Sequence, residues 1–183
     1  MLLTASLSAA LPLSAASHVD VVKMRTENWV NPLGIGTSTP RFSWQITSDR
    51  KGVVQTSYQI LVASSREKLD RNEADLWDSG ERNSDEQLWI PYQGKALLSG
   101  AQAYWKVRIT TNRGKSEWTE PQLFTIGLLG ETKWSGTWIG LEDLQPGEQK
   151  GMHTRLAARY IRKDFAAKGK VKRAVAYVAG LGV

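Results

Sequence analysis

The chain predicts an all-β fold, an antiparallel β-sandwich, and three observations carry that reading. Apolar residues alternate with period two from Val19 to about Thr125, turn-forming pairs punctuate the alternation at short intervals, and tryptophans occupy inward positions. Alternation marks a strand with one face in a core and the other in water. Several such strands within about 100 residues need only short connections, which a sandwich supplies and a parallel sheet does not.

The strands follow in order. In "RFSWQI" the inward set is Phe42, Trp44 and Ile46, while Arg41, Ser43, Gln45 and Thr47 point to solvent. "TSYQILVAS" repeats the pattern with Tyr58, Ile60 and Val62. In "AYWKVRITTNRG", Ala103, Trp105, Val107 and Ile109 face inward, Tyr104, Lys106, Arg108 and Thr110 face outward, and an Asn-Arg-Gly turn follows. The breakers between runs are Asn31-Pro32, Thr39-Pro40, Lys51-Gly52, Ser79-Gly80, Ser99-Gly100 and Glu120-Pro121. Only "SREKLDRNEADLW" has helical spacing, and it is short.

Trp44 and Trp105, on inward faces, read as core residues that each bury on the order of 200 Å². Trp29, Trp77, Trp89 and Trp118 fall near turns or strand ends. There they either cap the ends of the sandwich or serve as sugar-stacking platforms, and Trp89 and Trp118 are the candidate sugar-binding residues.

The texture changes after Gly127. Residues 128–154 read as a linker rich in Gly and Trp. Residues 155–183 hold two further strand candidates, "ARYIRKDFAA" and "KVKRAVAYVAG", and read as the truncated start of a second β domain. Two strands alone do not bury a core. At the other end, residues 1–17 are small and apolar and resemble a signal peptide, with cleavage expected near Ala16 or Ser17. Export to the periplasm or the extracellular space is the corresponding expectation. The stretch is too short and Ser-rich for a transmembrane span.

Composition narrows the chemistry. No cysteine occurs, which removes disulfides, cysteine-bound zinc and thiol nucleophiles, and only His18 and His153 offer imidazole. No metal and no cofactor is expected. The formal charge of +6 is concentrated from Lys150 onward in Lys150, Arg155, Arg159, Arg162, Lys163, Lys168, Lys170, Lys172 and Arg173, answered by Asp164. Without a nucleic-acid motif this cluster reads as a solvated face, and no nucleic-acid partner is expected.

Three patterns invite a catalytic or binding reading. A glycosidase needs two carboxyl groups held across the scissile bond, one with a raised pKa. Asp75, Asp78, Glu81, Asp85 and Glu86 cluster, but among polar neighbours that would raise no pKa. Ser65 and Lys68 match the Ser-x-x-Lys spacing of a serine acylase without its companion motifs. Gly180 and Gly182 form Gly-x-Gly after a strand-like run, but a dinucleotide site needs a third glycine, a helix and a distant acid. A β-turn with an unpaired edge is the simpler reading.

Seven blocks in order, "ENWVNPLGIGTSTPRFSWQI", "QTSYQILVASS", "LWDSG", "YWKVRI", "WSGTWIG", "ARYIRKDF" and "AYVAGLG", resemble the N-terminal region of bacterial α-L-rhamnosidases. The resemblance implies a fibronectin-III-like sandwich over 19–127 and the start of a jelly-roll-like domain. It also implies an (α/α)₆ barrel further downstream as partner, carrying the catalytic carboxylates and hydrolysing terminal L-rhamnose with inversion. Rhamnose-containing glycans would be the ligands. No catalytic residue carries over to this chain, which is expected to act as a non-catalytic accessory region. The alternative is a stand-alone secreted carbohydrate-binding or adaptor sandwich. One departure stands out: Ala103 replaces a tyrosine common in the family, so a looser sandwich corner is expected there.

Overall fold

The computed structural model describes residues 19–130, 135–140, 147–149 and 160–180. The leader-like residues 1–17, His18, His153 and Gly182 lie outside the described residues. The chain divides into two compact units, Met1–Trp134 and Ser135–Val183. The described part of the first unit is an antiparallel sandwich, as the alternation predicts.

One sheet has the order β1-β2-β6, formed by β1 (Val19–Thr26), β2 (Arg41–Ser48) and the short β6 (Ile90–Pro91). In the other, β3 (Gln55–Ala63) and β7 (Gln102–Thr111) form the centre and pair from Gln55↔Thr111 to Ala63↔Tyr104. Short partners complete it: β4 (Trp77–Asp78) and β5 (Arg82–Asn83) on β3, β8 (Gly114–Lys115) and β9 (Gln122–Thr125) on β7.

β1 is an edge strand, and it changes phase part-way. Val19 and Val21 pack toward the core at its start and Met24 and Thr26 at its end, with a register shift between Val22 and Arg25 and φ 49° at Lys23. The extra residue flips the inward set from odd to even positions. It also bends an edge that would otherwise be free to pair with another chain.

The core is aromatic where the sheets face each other. Phe42 sits 4.4 Å from Trp105, 5.8 Å from Phe124 and 6.3 Å from Trp77, ring centre to ring centre, and Trp44 meets Tyr58 edge-on at 5.3 Å. Trp44 and Trp105 are buried as expected, and so is Trp77. One polar side chain is built into this core. Gln55 accepts a hydrogen bond from Trp44 Nε1 at 3.0 Å and donates to the carbonyls of Ser84 and Glu86 at 3.0 and 2.9 Å. It therefore ties the irregular 84–86 segment to the interior and satisfies the indole.

Two side chains expected in solvent are buried, Ser43 and Lys106. Both lie on outward faces, but those faces are covered. The 87–89 segment runs over β2, with the Trp44 amide donating to Gln87 O and the Trp89 amide donating to Ser43 Oγ, each at 3.0 Å. The helix α1 (Arg66–Asp70), with Ser65 as its N-cap, covers Lys106. The Lys106 ammonium donates to Leu69 O at the helix end and to Asn72 Oδ1. Ser65 thus has a capping role, and its spacing to Lys68 reflects one helical turn.

A buried tyrosine closes the connection between the sheets. Tyr92, in the connection from β6 to β7, is buried, and its phenol donates to Lys95 O at 2.7 Å and lies 3.3 Å from Leu76 O. Tyr92 therefore ties the β6–β7 connection to itself and to the chain entering β4.

In the second unit, the strand candidates "ARYIRKDFAA" and "KVKRAVAYVAG" form no strand over the described residues 160–180. Tyr160, Phe165 and Val178 stand exposed. A strand takes its regular form from a ladder partner, and none is paired with this segment among the described residues.

Candidate functional site

The loop from Glu27 to Pro40, joining β1 to β2, is the most distinctive surface of the sandwich. It leaves its own sheet and runs beside β9. Asn31 Oδ1 accepts from the Leu123 amide at 2.9 Å and Pro32 O from the Thr125 amide at 3.0 Å. The Ile35 amide donates to Thr125 O at 2.8 Å, Ile35 O accepts from the Gly127 amide at 2.9 Å, and Ile35 and Ile126 form a parallel bridge. Buried Ile35 anchors the loop and shields the β9 edge.

The backbone pays for this path with positive φ at Glu27 (49°), Asn28 (67°) and Asn31 (48°). Asparagine tolerates this region because its short side chain can bond locally; glutamate does so less readily. Side-chain bonds hold Glu27 in place. Its Oε1 accepts from the Arg41 amide at 2.8 Å and from Arg41 Nε at 3.1 Å, while Oε2 accepts from the other arm of the guanidinium at 2.7 Å. That guanidinium lowers the Glu27 pKa below the ordinary carboxylate value, and the carboxylate raises Arg41 in turn.

Beside these bonds lies an open cleft of about 840 Å³ whose lining includes Glu27, Trp29, Val30, Leu33, Thr37 and Arg41. Trp29 is 70% exposed, Val30 57% and Leu33 78%. Three large apolar side chains thus stand in water on a loop that hydrogen bonds hold in place. No cation site forms from His, Asp and Glu among the described residues. No described helix is long and apolar enough to cross a membrane.

Trp89 and Trp118, the two candidate sugar platforms, lie on different sheets and do not share a surface. Trp89 is on the outward side of β2, with φ 59° and the Arg41 guanidinium 4.1 Å from its ring centre. Trp118 packs over the outward side of β7, where Arg108 and Lys106 lie 4.4 and 5.1 Å from its ring centre and Leu69 and Tyr104 belong to the same cluster. Arg41 links Trp89 to the cleft; Trp118 belongs to the helix-covered face.

Three members of the acidic cluster, Asp75, Asp78 and Glu81, are engaged in local bonds. Asp75 pairs with Lys68 at 2.6 Å and accepts from the Ser64 amide and hydroxyl. Asp78 accepts from Gln59 and the Gly80 amide, and Glu81 from Ser57, Thr110 and Lys115. Partial burial pushes Asp75 up, but the Lys68 and Ser64 bonds outweigh it and hold its pKa at about 2. Glu81 is likewise lowered, first by its bond from Ser57.

Sequence reasoning missed Val30, Leu33 and the Glu27–Arg41 pair. The available signal was "WVNPLGI", apolar residues without period beside an Asn-Pro break, which marks a loop but not whether it is buried.

Fold and surface define a class: a two-sheet immunoglobulin-type domain that presents an apolar loop. The family model described as "Rha78A-like, N-terminal immunoglobulin domain" matches residues 21–130, and the chain belongs to that family. An α-L-rhamnosidase of Formosa agariphila is 36% identical over 174 residues, covering 93% of this chain and 18% of the relative. Among solved structures, the α-L-rhamnosidase of Streptomyces avermitilis complexed with L-rhamnose is similar at 36% identity and TM-score 0.63, over 67% of this chain and 12% of that one. The α-L-rhamnosidase from Dictyoglumus thermophilum is similar at 36% identity and TM-score 0.62, over 66% of this chain and 14% of that one. The chain thus spans less than a fifth of the length of these relatives.

Proposed function

We propose that this chain is the non-catalytic N-terminal accessory region of an α-L-rhamnosidase, whose hydrolytic chemistry resides in a downstream (α/α)₆ barrel. The carrying observation is the match to an N-terminal domain family over 21–130, with relatives of which the chain spans 18% and 12%. The electrostatics agree. A general acid needs a carboxyl pKa raised toward neutrality. Every described carboxylate with a displaced pKa, Glu27, Glu67, Glu73, Asp75 and Glu81, is displaced downward. Such groups stay ionised and hold structure.

Export is part of the proposal and rests on the leader-like residues 1–17; N-terminal sequencing of the mature protein tests it. The enzymatic reading is tested with the complete reading frame that carries this chain. It should hydrolyse an aryl α-L-rhamnoside, and proton NMR should show the β anomer of rhamnose first, as inversion requires. Absence of hydrolysis, or α anomer first, contradicts the respective part.

A further inference from the structure

We propose that the 27–39 loop is the surface by which the sandwich seats on the catalytic body of its enzyme, through an apolar contact centred on Trp29, Val30 and Leu33. The proposal rests on the accessory-region reading above. An exposed contiguous apolar patch rimmed by polar groups marks an interaction surface. Here Trp29, Val30 and Leu33 are exposed side by side in one loop, and Glu27, Thr37, Thr39 and Arg41 rim the cleft they line.

The loop is pre-organised for such a contact. Bonds from Asn31, Pro32 and Ile35 to the 123–127 segment fix it, so docking orders little new backbone. Close approach at Gly127 tightens the same junction: a Cβ there would lie 3.0 Å from Gly34 O. The relatives point to the occupant. More than four fifths of each lies outside the region this chain matches, and covalent linkage holds the sandwich at high local concentration beside that body.

The middle of the patch, Val30 and Leu33, is aliphatic and offers a sugar hydroxyl no hydrogen-bonding partner, while the polar groups lie at its rim. The surface that matches the loop is therefore apolar at its centre with hydrogen-bonding groups at its rim, as in other protein interfaces.

Hydrogen exchange tests this by comparing the 183-residue chain with the protein from the complete reading frame. The proposal expects amides in 27–39 to exchange roughly tenfold more slowly in the complete protein, with α1 unchanged. Leu33→Asp should erase the difference without moving the urea midpoint of the isolated chain, because Leu33 is exposed there. Equal exchange in the two proteins, with rhamnoside hydrolysis intact, overturns the docking surface and leaves the accessory reading standing. A complete protein that hydrolyses no rhamnoside overturns the reading itself and the docking proposal with it. Slowing in the isolated chain on addition of a rhamnose oligosaccharide makes the loop a sugar contact and also overturns the proposal.

Discussion

Tyr92 and Gly94 show how single residues set the corner of this sandwich. The Tyr92 phenol bonds back to the chain, and burial, reinforced by the Asp75 charge, pushes its pKa up to about 12. At Gly94 the chain passes close to the start of β4: an added Cβ would lie 2.4 Å from both Leu76 O and Trp77 Cβ, and 2.6 Å from the Tyr92 hydroxyl. Neither backbone carbonyl nor strand can yield that much, so Gly94→Ala should cost about 2–4 kcal/mol in urea unfolding. An unchanged midpoint would mean the corner repacks freely. The inward positions of β2, β3 and β7 were legible from alternation alone, and Trp44, Trp105 and Ile60 are buried accordingly. Tyr92 and Gly94 were not legible, because a corner residue has no period and a close approach is made by a segment distant in sequence.

At the scale of elements, α1 and its surroundings explain why a correct strand can still mislead about exposure. Alternation places Lys106 on the outward face of β7, and it is there, but period two says nothing about what covers that face. The short helix does, and burial lowers the Lys106 pKa while Leu69 O and Asn72 Oδ1 hold the ammonium. Lys106→Ala strands Asn72 Oδ1, leaves Leu69 O with the Asn72 amide alone and opens space under the helix, and should cost about 2 kcal/mol, read as a lower midpoint. The same helix is tied by Lys68 to Asp75, whose pKa of about 2 lies below the ordinary 3.8. Because the folded state holds this carboxyl ionised more strongly, its stabilisation is complete above about pH 4 and is lost as pH falls toward 2. The pair is partly exposed, so roughly 1 kcal/mol is at stake after screening. Asp75→Asn should show a correspondingly smaller loss of stability between pH 4.5 and 2.5 than the unaltered chain.

Across the whole molecule, the described residues divide into a sandwich rich in pairing and a second segment without it. The sandwich buries its aromatic core between two sheets within 19–130, and the resemblance of seven blocks carried its family. The strand-like wording of 155–183 carried less, since apolar alternation becomes a strand only against a partner. The β1–β2 loop was the least legible feature of function, because three exposed apolar side chains look in sequence like three buried ones. On the proposed reading, this chain supports a rhamnosidase without performing its chemistry. The most direct measurement is an aryl α-L-rhamnoside assay of the purified 183-residue chain. Release of the aryl group at the rate of the buffer control is the predicted result. Turnover that co-purifies with the chain would contradict it.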